Sequence, residues 1–318
     1  MKYLFLLLFA IGATTTSYSQ DSLFSDQELK QLKIYEDTIQ VLSYHVLRDR
    51  KDEERYYSCQ ELIKTFVKAL KINNSFYYAF DSVRHVSIQY PDDSTFRLIT
   101  WQLYVGPNEY KYYGSIQMRS EKLVLFPLSD RSSMMFLPQK ETLTAQNWYG
   151  ALYYNIKQVS TSEGTYYTLF GLDMYKLMSR RKVIDVLHFD KEGKPQFGAP
   201  LFVQKDLRDP NIPKEIIKNR VIIEYSAEGA VSCNFSDDYG MIIYDNLIRI
   251  PGGMKGQGML SVSDGSYRGY KFDGNHWLYK SKVFNDFQEE APREQPILDN
   301  RKDGLFGPGK KRKNKKRK

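Results

Sequence analysis

Two cysteines in 318 residues are too few for a disulfide-stapled scaffold or for a zinc site with four Cys ligands. Long apolar runs are scarce too. The longest, Tyr3 to Ile11, falls short of the roughly 18 residues that a membrane-spanning helix needs, which excludes a polytopic helical membrane protein. Only His45, His85, His188 and His276 supply imidazoles, so a histidine-based metal or acid–base centre would have to be assembled by tertiary contacts. The nucleophile elbow Gly-x-Ser-x-Gly, the His-Glu-x-x-His zinc pair, the phosphate-binding Walker A loop and Gly-x-Gly-x-x-Gly are all missing. Ser179-Arg180-Arg181-Lys182 fits the pattern in which a lysine activates a serine, but its Lys-Thr-Gly companion is absent and a solvated basic turn explains it as well. Asp237-Asp238 and Asp273-Gly274-Asn275 lack the spaced acidic loop and bidentate Glu of a calcium site, and read as hairpin turns. No cofactor is implied.

What is present is a globular composition, 42% hydrophobic and 26% charged. The formal charge of +8 is concentrated at one end: Lys310, Lys311, Arg312, Lys313, Lys315, Lys316, Arg317 and Lys318 carry it. With those residues and Lys2 set aside, acids and bases nearly cancel, so the body is close to neutral. A run of like charge without apolar residues does not fold alone and is drawn to polyanions in a salt-dependent way.

Residues 1–19 have the form of a secretory signal: Lys2, the apolar run to Ile11, then a polar stretch ending Ser17-Tyr18-Ser19. No cysteine follows the apolar run, which argues against a lipoprotein anchor. Export turns the tail toward lipid headgroups, lipopolysaccharide phosphates or an acidic protein, and away from nucleic acid. It also places Cys59 and Cys233 where a single disulfide would survive; the other reading is two buried free thiols.

The rest divides into three parts. Residues 20–75 carry a helical pattern: Ser25-Asp26-Gln27-Glu28 is a capping box, and Leu29, Leu32, Ile39, Leu42 and Val46 form one stripe. A charged break at Arg48 to Glu54 precedes a second stripe of Cys59, Ile63, Phe66 and Leu70, predicting a helical hairpin or bent helix packed on something else. Residues 76–284 alternate with period two in about a dozen short runs separated by Gly- and Asp-containing turns, which predicts an antiparallel β-sandwich or barrel-like sheet. The class is therefore α+β, mostly β. Residues 285–318 hold Pro292, Pro296 and Pro308 and no apolar stripe, as expected of a disordered linker leading to the polybasic tail.

Trp101, Trp148 and Trp277, with 25 tyrosines, offer either core packing or a stacking platform for a sugar or peptide, and His276 beside Trp277 follows a turn where such a site would open. Ser19-Gln20, Trp148-Tyr149-Gly150-Ala151-Leu152-Tyr153-Tyr154, Gln196-Phe197-Gly198-Ala199-Pro200-Leu201-Phe202 and Gly304-Leu305-Phe306-Gly307-Pro308 together resemble a group of uncharacterised exported proteins of Bacteroidota. The resemblance implies Gram-negative export to the periplasm or beyond, and brings neither an activity nor catalytic residues. The expected function is an exported envelope protein acting as a non-catalytic binding or assembly module; the alternative is a hydrolase acting on envelope carbohydrate or peptide.

Overall fold

A computed structural model describes residues 23–206, 214–253 and 258–284. The stretches read from the sequence as a secretory signal, a disordered linker and a polybasic tail lie outside the described residues.

Helices α1 (Asp26–Arg48) and α2 (Asp52–Leu70) form the hairpin that the two stripes call for. The capping box is made: the Glu28 amide donates to Ser25 Oγ at 3.3 Å and the Ser25 amide donates to Glu28 Oε2 at 2.8 Å. The turn between the helices is held by Arg55, which is buried. It donates to the carbonyls of Asp49 and Tyr104, each at 2.8 Å, and lies over the Tyr104 ring. One side chain thus fixes the hairpin angle and docks it on the sheet below.

Sixteen strands follow among the described residues: β1 (Ser87–Gln89), β2 (Phe96–Gly106), β3 (Glu109–Met118), β4 (Leu125–Ser129), β5 (Leu143–Thr144), β6 (Leu152–Thr161), β7 (Gly164–Lys176), β8 (Ser179–Phe189), β9 (Pro195–Phe197), β10 (Phe202–Asp206), β11 (Lys214–Lys218), β12 (Val221–Ser226), β13 (Cys233–Ser236), β14 (Met241–Pro251), β15 (Met259–Phe272) and β16 (Trp277–Lys280). They make three sheets, ordered β1-β2-β3-β4, then β5-β9-β8-β7-β6 with β12 on β8, then β11-β10-β16-β15-β14-β13. All ladders are antiparallel except β10 with β16. The protein is mostly β with an N-terminal helical pair, as the patterning requires.

Layering explains the burial. On β2, Ile99, Trp101 and Leu103 face the helices while Phe96 and Leu98 face the second sheet, the expected two-residue period. The second sheet is covered on both sides: Leu169, Val183 and Leu187 pack toward the first sheet, and Phe170, Ile184 and Val186 toward the third. In consequence Val183 to Leu187 is an unbroken buried run, unusual for an antiparallel strand and caused by its middle position.

Cys59 and Cys233 are both buried free thiols and belong to different cores, one under the helices and one between the second and third sheets, so of the two sequence readings the structure takes the unbridged one. The Ser-x-x-Lys stretch is strand rather than turn. Its spacing puts Ser179 and Lys182 on opposite faces of β8, where the Ser179 hydroxyl donates to Glu224 at 2.7 Å.

Candidate functional site

The tryptophans singled out in the sequence do not make a surface row. Trp148 and Trp277 are completely buried, with indole N–H groups donating to Tyr153 at 3.4 Å and Thr168 at 3.1 Å. They are core residues in two different layers. His276 is exposed. It borders a depression of about 180 Å³ with Tyr166 and Glu163, where Asn275 Oδ1 accepts from the Ser162 hydroxyl at 3.0 Å. The Asp273 carboxylate accepts from the amides of Asn275 and His276, so this acidic cluster is the turn it resembled.

Trp101 leads to the candidate site. On α2, Ile63, Phe66, Val67 and Leu70 recur at three, four and seven residues and present one apolar face. Opposite them stand Ile99 and Trp101 of β2, Tyr113 and Ser115 of β3, and Leu125, Pro127 and Leu128 from β4. Between helix and sheet is a cavity of about 170 Å³. An engineered apolar cavity of roughly 150 Å³ stays dry and takes up benzene, so the space here suits one aromatic or branched aliphatic group. The cavity adjoins a wider depression of about 500 Å³, sharing Ile63 and Tyr113 with it and bordered by Tyr56, Tyr57, Cys59 and Gln60. Tyr57 is 65% exposed at this mouth.

The chemistry of the pocket follows from its aromatic wall. Trp101 stacks on both Phe66 (5.8 Å, 19°) and Tyr113 (5.7 Å, 11°) and is buried, so its ring is engaged by core aromatics and is not laid open as a platform for a sugar ring. Its buried Nε1–H makes no well-formed hydrogen bond to oxygen or nitrogen among the described residues and has only the Cys59 thiol, a weak acceptor, beside it. An incoming group that carried a carbonyl or hydroxyl beside its apolar part would satisfy it. Burial pushes the Cys59 thiol up, against a smaller opposite pull from Trp101 and Tyr113. Burial, and then Cys59, raises the Tyr113 hydroxyl to about 12. Both groups stay neutral at ordinary pH, so the pocket offers uncharged surface and hydrogen-bond donors rather than a nucleophile.

A second, polar cleft of about 490 Å³ lies between the end of α1, the segment before β1, and β2; Asp81, Arg84, His85, Gln89 and Gln102 line it. Buried His85 Nδ1 and Gln102 Oε1 have no partner there among the described residues. The histidines stay apart. His45 Nδ1 lies 2.8 Å from Asp49, His85 meets Tyr44 edge to face, and His188 packs on Tyr166 with its pKa lowered by burial. Among the described residues no group of three or more His, Cys, Asp and Glu side chains is placed to hold a metal ion.

Sequence reasoning missed a buried polar network in the second sheet. The far edge of β8 is split: β12 pairs with residues 179–184 and β9 with 187–189. Through the gap Arg220 enters the core, where its Nε sits 2.7 Å from Asp185 Oδ2, both side chains being wholly buried. The contact is off the N–H direction, so it is Coulombic first. Tyr153 donates to the same carboxylate at 3.1 Å, and Arg220 Nη1 donates to the Pro138 carbonyl. Asp173, opposite Arg181 and so four strand positions along the ladder from Asp185, accepts from Tyr149 at 3.0 Å and Tyr112 at 3.2 Å, and burial raises its pKa. Tyr149 and Tyr153, both in the Trp148–Tyr154 string, are therefore network residues. No protein-family model, curated protein or solved structure matches the chain.

Proposed function

We propose that the protein is an exported envelope protein that works as a non-catalytic binding or assembly module, with the apolar pocket behind α2 as its recognition element. The observation that carries this reading is the cavity of about 170 Å³ walled by the Phe66–Trp101–Tyr113 stack and opening beside exposed Tyr57. A pocket that accepts a single apolar anchor is the usual centre of a binding hot spot. Lys310 to Lys318 would add a salt-sensitive contact to an anionic envelope component. The hydrolase alternative draws less support, since the buried carboxylates Asp173 and Asp185 are closed off by tyrosines inside the core and buried Glu36 is taken up by Tyr78 and the Ser82 amide.

The test is photocrosslinking in envelope fractions with a benzophenone amino acid at exposed Gln60, on the pocket rim, in chains with and without the tail. A discrete crosslinked species is expected, and Val67→Phe, which fills the cavity, should remove it while leaving the circular dichroism unchanged. A crosslink that persists undiminished in the folded Val67→Phe chain overturns the assignment of the pocket.

A further inference from the structure

The segment between β4 and β5 carries a second surface feature that the pocket does not explain. Phe136 is 90% exposed, Met134 76% and Leu137 51%, three large apolar side chains within four residues. Soluble surfaces seldom gather such residues in one place without a partner. Arg131 and Lys140, both exposed, flank them, and beside Lys140 the half-buried Glu141 carboxylate turns back to accept from the Leu137 amide at 3.2 Å.

The segment is firmly tied at both ends. At its start, Asp130 Oδ1 accepts from the Ser132 amide at 2.9 Å and hydroxyl at 2.7 Å, while Oδ2 accepts from the Tyr112 amide at 3.0 Å. At its end, Arg220 donates to the Pro138 carbonyl, the Asn219 amide donates to Gln139 at 2.8 Å, and Asn219 Nδ2 donates to the Lys140 carbonyl at 3.1 Å. Met135 turns inward and packs on the core between the first and second sheets. The outward placing of Met134, Phe136 and Leu137 is thus set by the buried Arg220 guanidinium and the half-buried Asp130 and Asn219, and is not slack in a loose loop.

We propose that this loop is a membrane-docking element that inserts Met134, Phe136 and Leu137 into the headgroup–acyl boundary of an anionic bilayer, with Arg131 and Lys140 on the lipid phosphates. Phe, Met and Leu at a tip with basic flanks is the composition of interfacial insertion, in which apolar burial and attraction to anionic lipid act together. The basic flanks favour a lipid surface over an acidic groove in a protein, because the apolar residues lie between the charges and need a medium that yields around all of them. The inference stands on the loop alone and does not depend on the pocket.

The experiment uses the full chain without its signal segment and vesicles of phosphatidylglycerol with phosphatidylcholine, against phosphatidylcholine alone. Salt near 0.5 M shortens the screening length to about 4 Å and weakens the electrostatic contribution of the polybasic tail. Phe136→Asp should lower the partition coefficient about tenfold or more, the scale of one large side chain kept out of an apolar phase plus a misplaced charge. Ile34→Asp, at an exposed apolar position on α1, should leave it unchanged. In a Phe136→Trp chain, brominated lipid should quench the new indole, which reports insertion directly because the three native tryptophans are buried. No vesicle binding, equal loss in both Asp variants, absence of quenching, or loss by Phe136→Asp of a protein partner instead of lipid would each overturn the proposal.

Discussion

Removing the cation from the Asp185–Arg220 pair should be among the most damaging single changes in the chain. Arg220→Met keeps most of the side-chain volume but leaves the Asp185 carboxylate wholly buried with only the Tyr153 hydroxyl and the Val186 amide to solvate it. Breaking a buried pair from one side costs about 3–5 kcal/mol, a large part of the roughly 5–15 kcal/mol that holds a domain together. Asp185→Leu should cost a similar amount by stranding the guanidinium. The double variant removes both charges, and apolar replacements of a buried pair are often neutral, so its loss should be well below the sum of the singles. Urea unfolding of the four proteins gives the cycle. The loss of the Pro138 anchor has its own readout: amide exchange over Met134 to Leu137 should quicken in Arg220→Met below the unfolding transition. A single variant costing less than about 1 kcal/mol, or a double variant that costs the sum, would refute the assignment of the pair as a mutually dependent unit.

Two further outcomes follow from local geometry. Buried Glu36 accepts from Tyr78 at 2.6 Å, the Ser82 amide at 2.7 Å and Lys33 at 3.3 Å; burial pushes its pKa up, but these donors outweigh it and hold it at about 2. A carboxyl depressed in the fold stabilises above its ordinary value and loses that contribution as pH falls through the folded one, so urea midpoints should drop between about pH 5 and pH 2, and Glu36→Gln should flatten that slope. Gly198 has φ +88°, and a Cβ there would meet the Glu141 carbonyl at 2.7 Å, so Gly198→Ala should cost about 1–3 kcal/mol, read as a fall of several degrees in the melting temperature.

Local rules carried the sequence reading where one element decides its own form. The capping box, both helical stripes and most strands stand where the periodicity puts them, because each depends on neighbours a few residues apart. The β10–β11 pair and the full reach of β14 and β15 are not legible, because Pro- and Gly-rich sequence adjoins them and Asp264-Gly265, which reads as a turn, lies inside β15. Tertiary pairing hid the rest. Asp185 and Arg220 meet only because β8's edge is divided between β9 and β12, and nothing in either local pattern reports that division. Trp101 was marked as a binding candidate for its ring face, whereas that ring is buried and stacked on Phe66 and Tyr113. Two of the four strings behind the resemblance fall among the described residues, and their roles there are structural: Gly150 has no room for a side chain beside Asp130, Tyr149 and Tyr153 satisfy buried acids, and Gly198 takes a positive φ against the Glu141 carbonyl, where a side chain is strained.

The single parallel ladder, Phe202 and Val203 of β10 against Trp277 and Leu278 of β16, also sets an order of events. During synthesis β10 emerges long before the strand that must lie beside it, and it waits with one edge open while β11 to β15 are made. The third sheet is therefore completed only when β16 takes its place between β10 and β15. A chain stopped before Trp277 would hold the helices and first sheet intact yet expose an unfilled slot between β10 and β15, a ready acceptor for a strand from another copy.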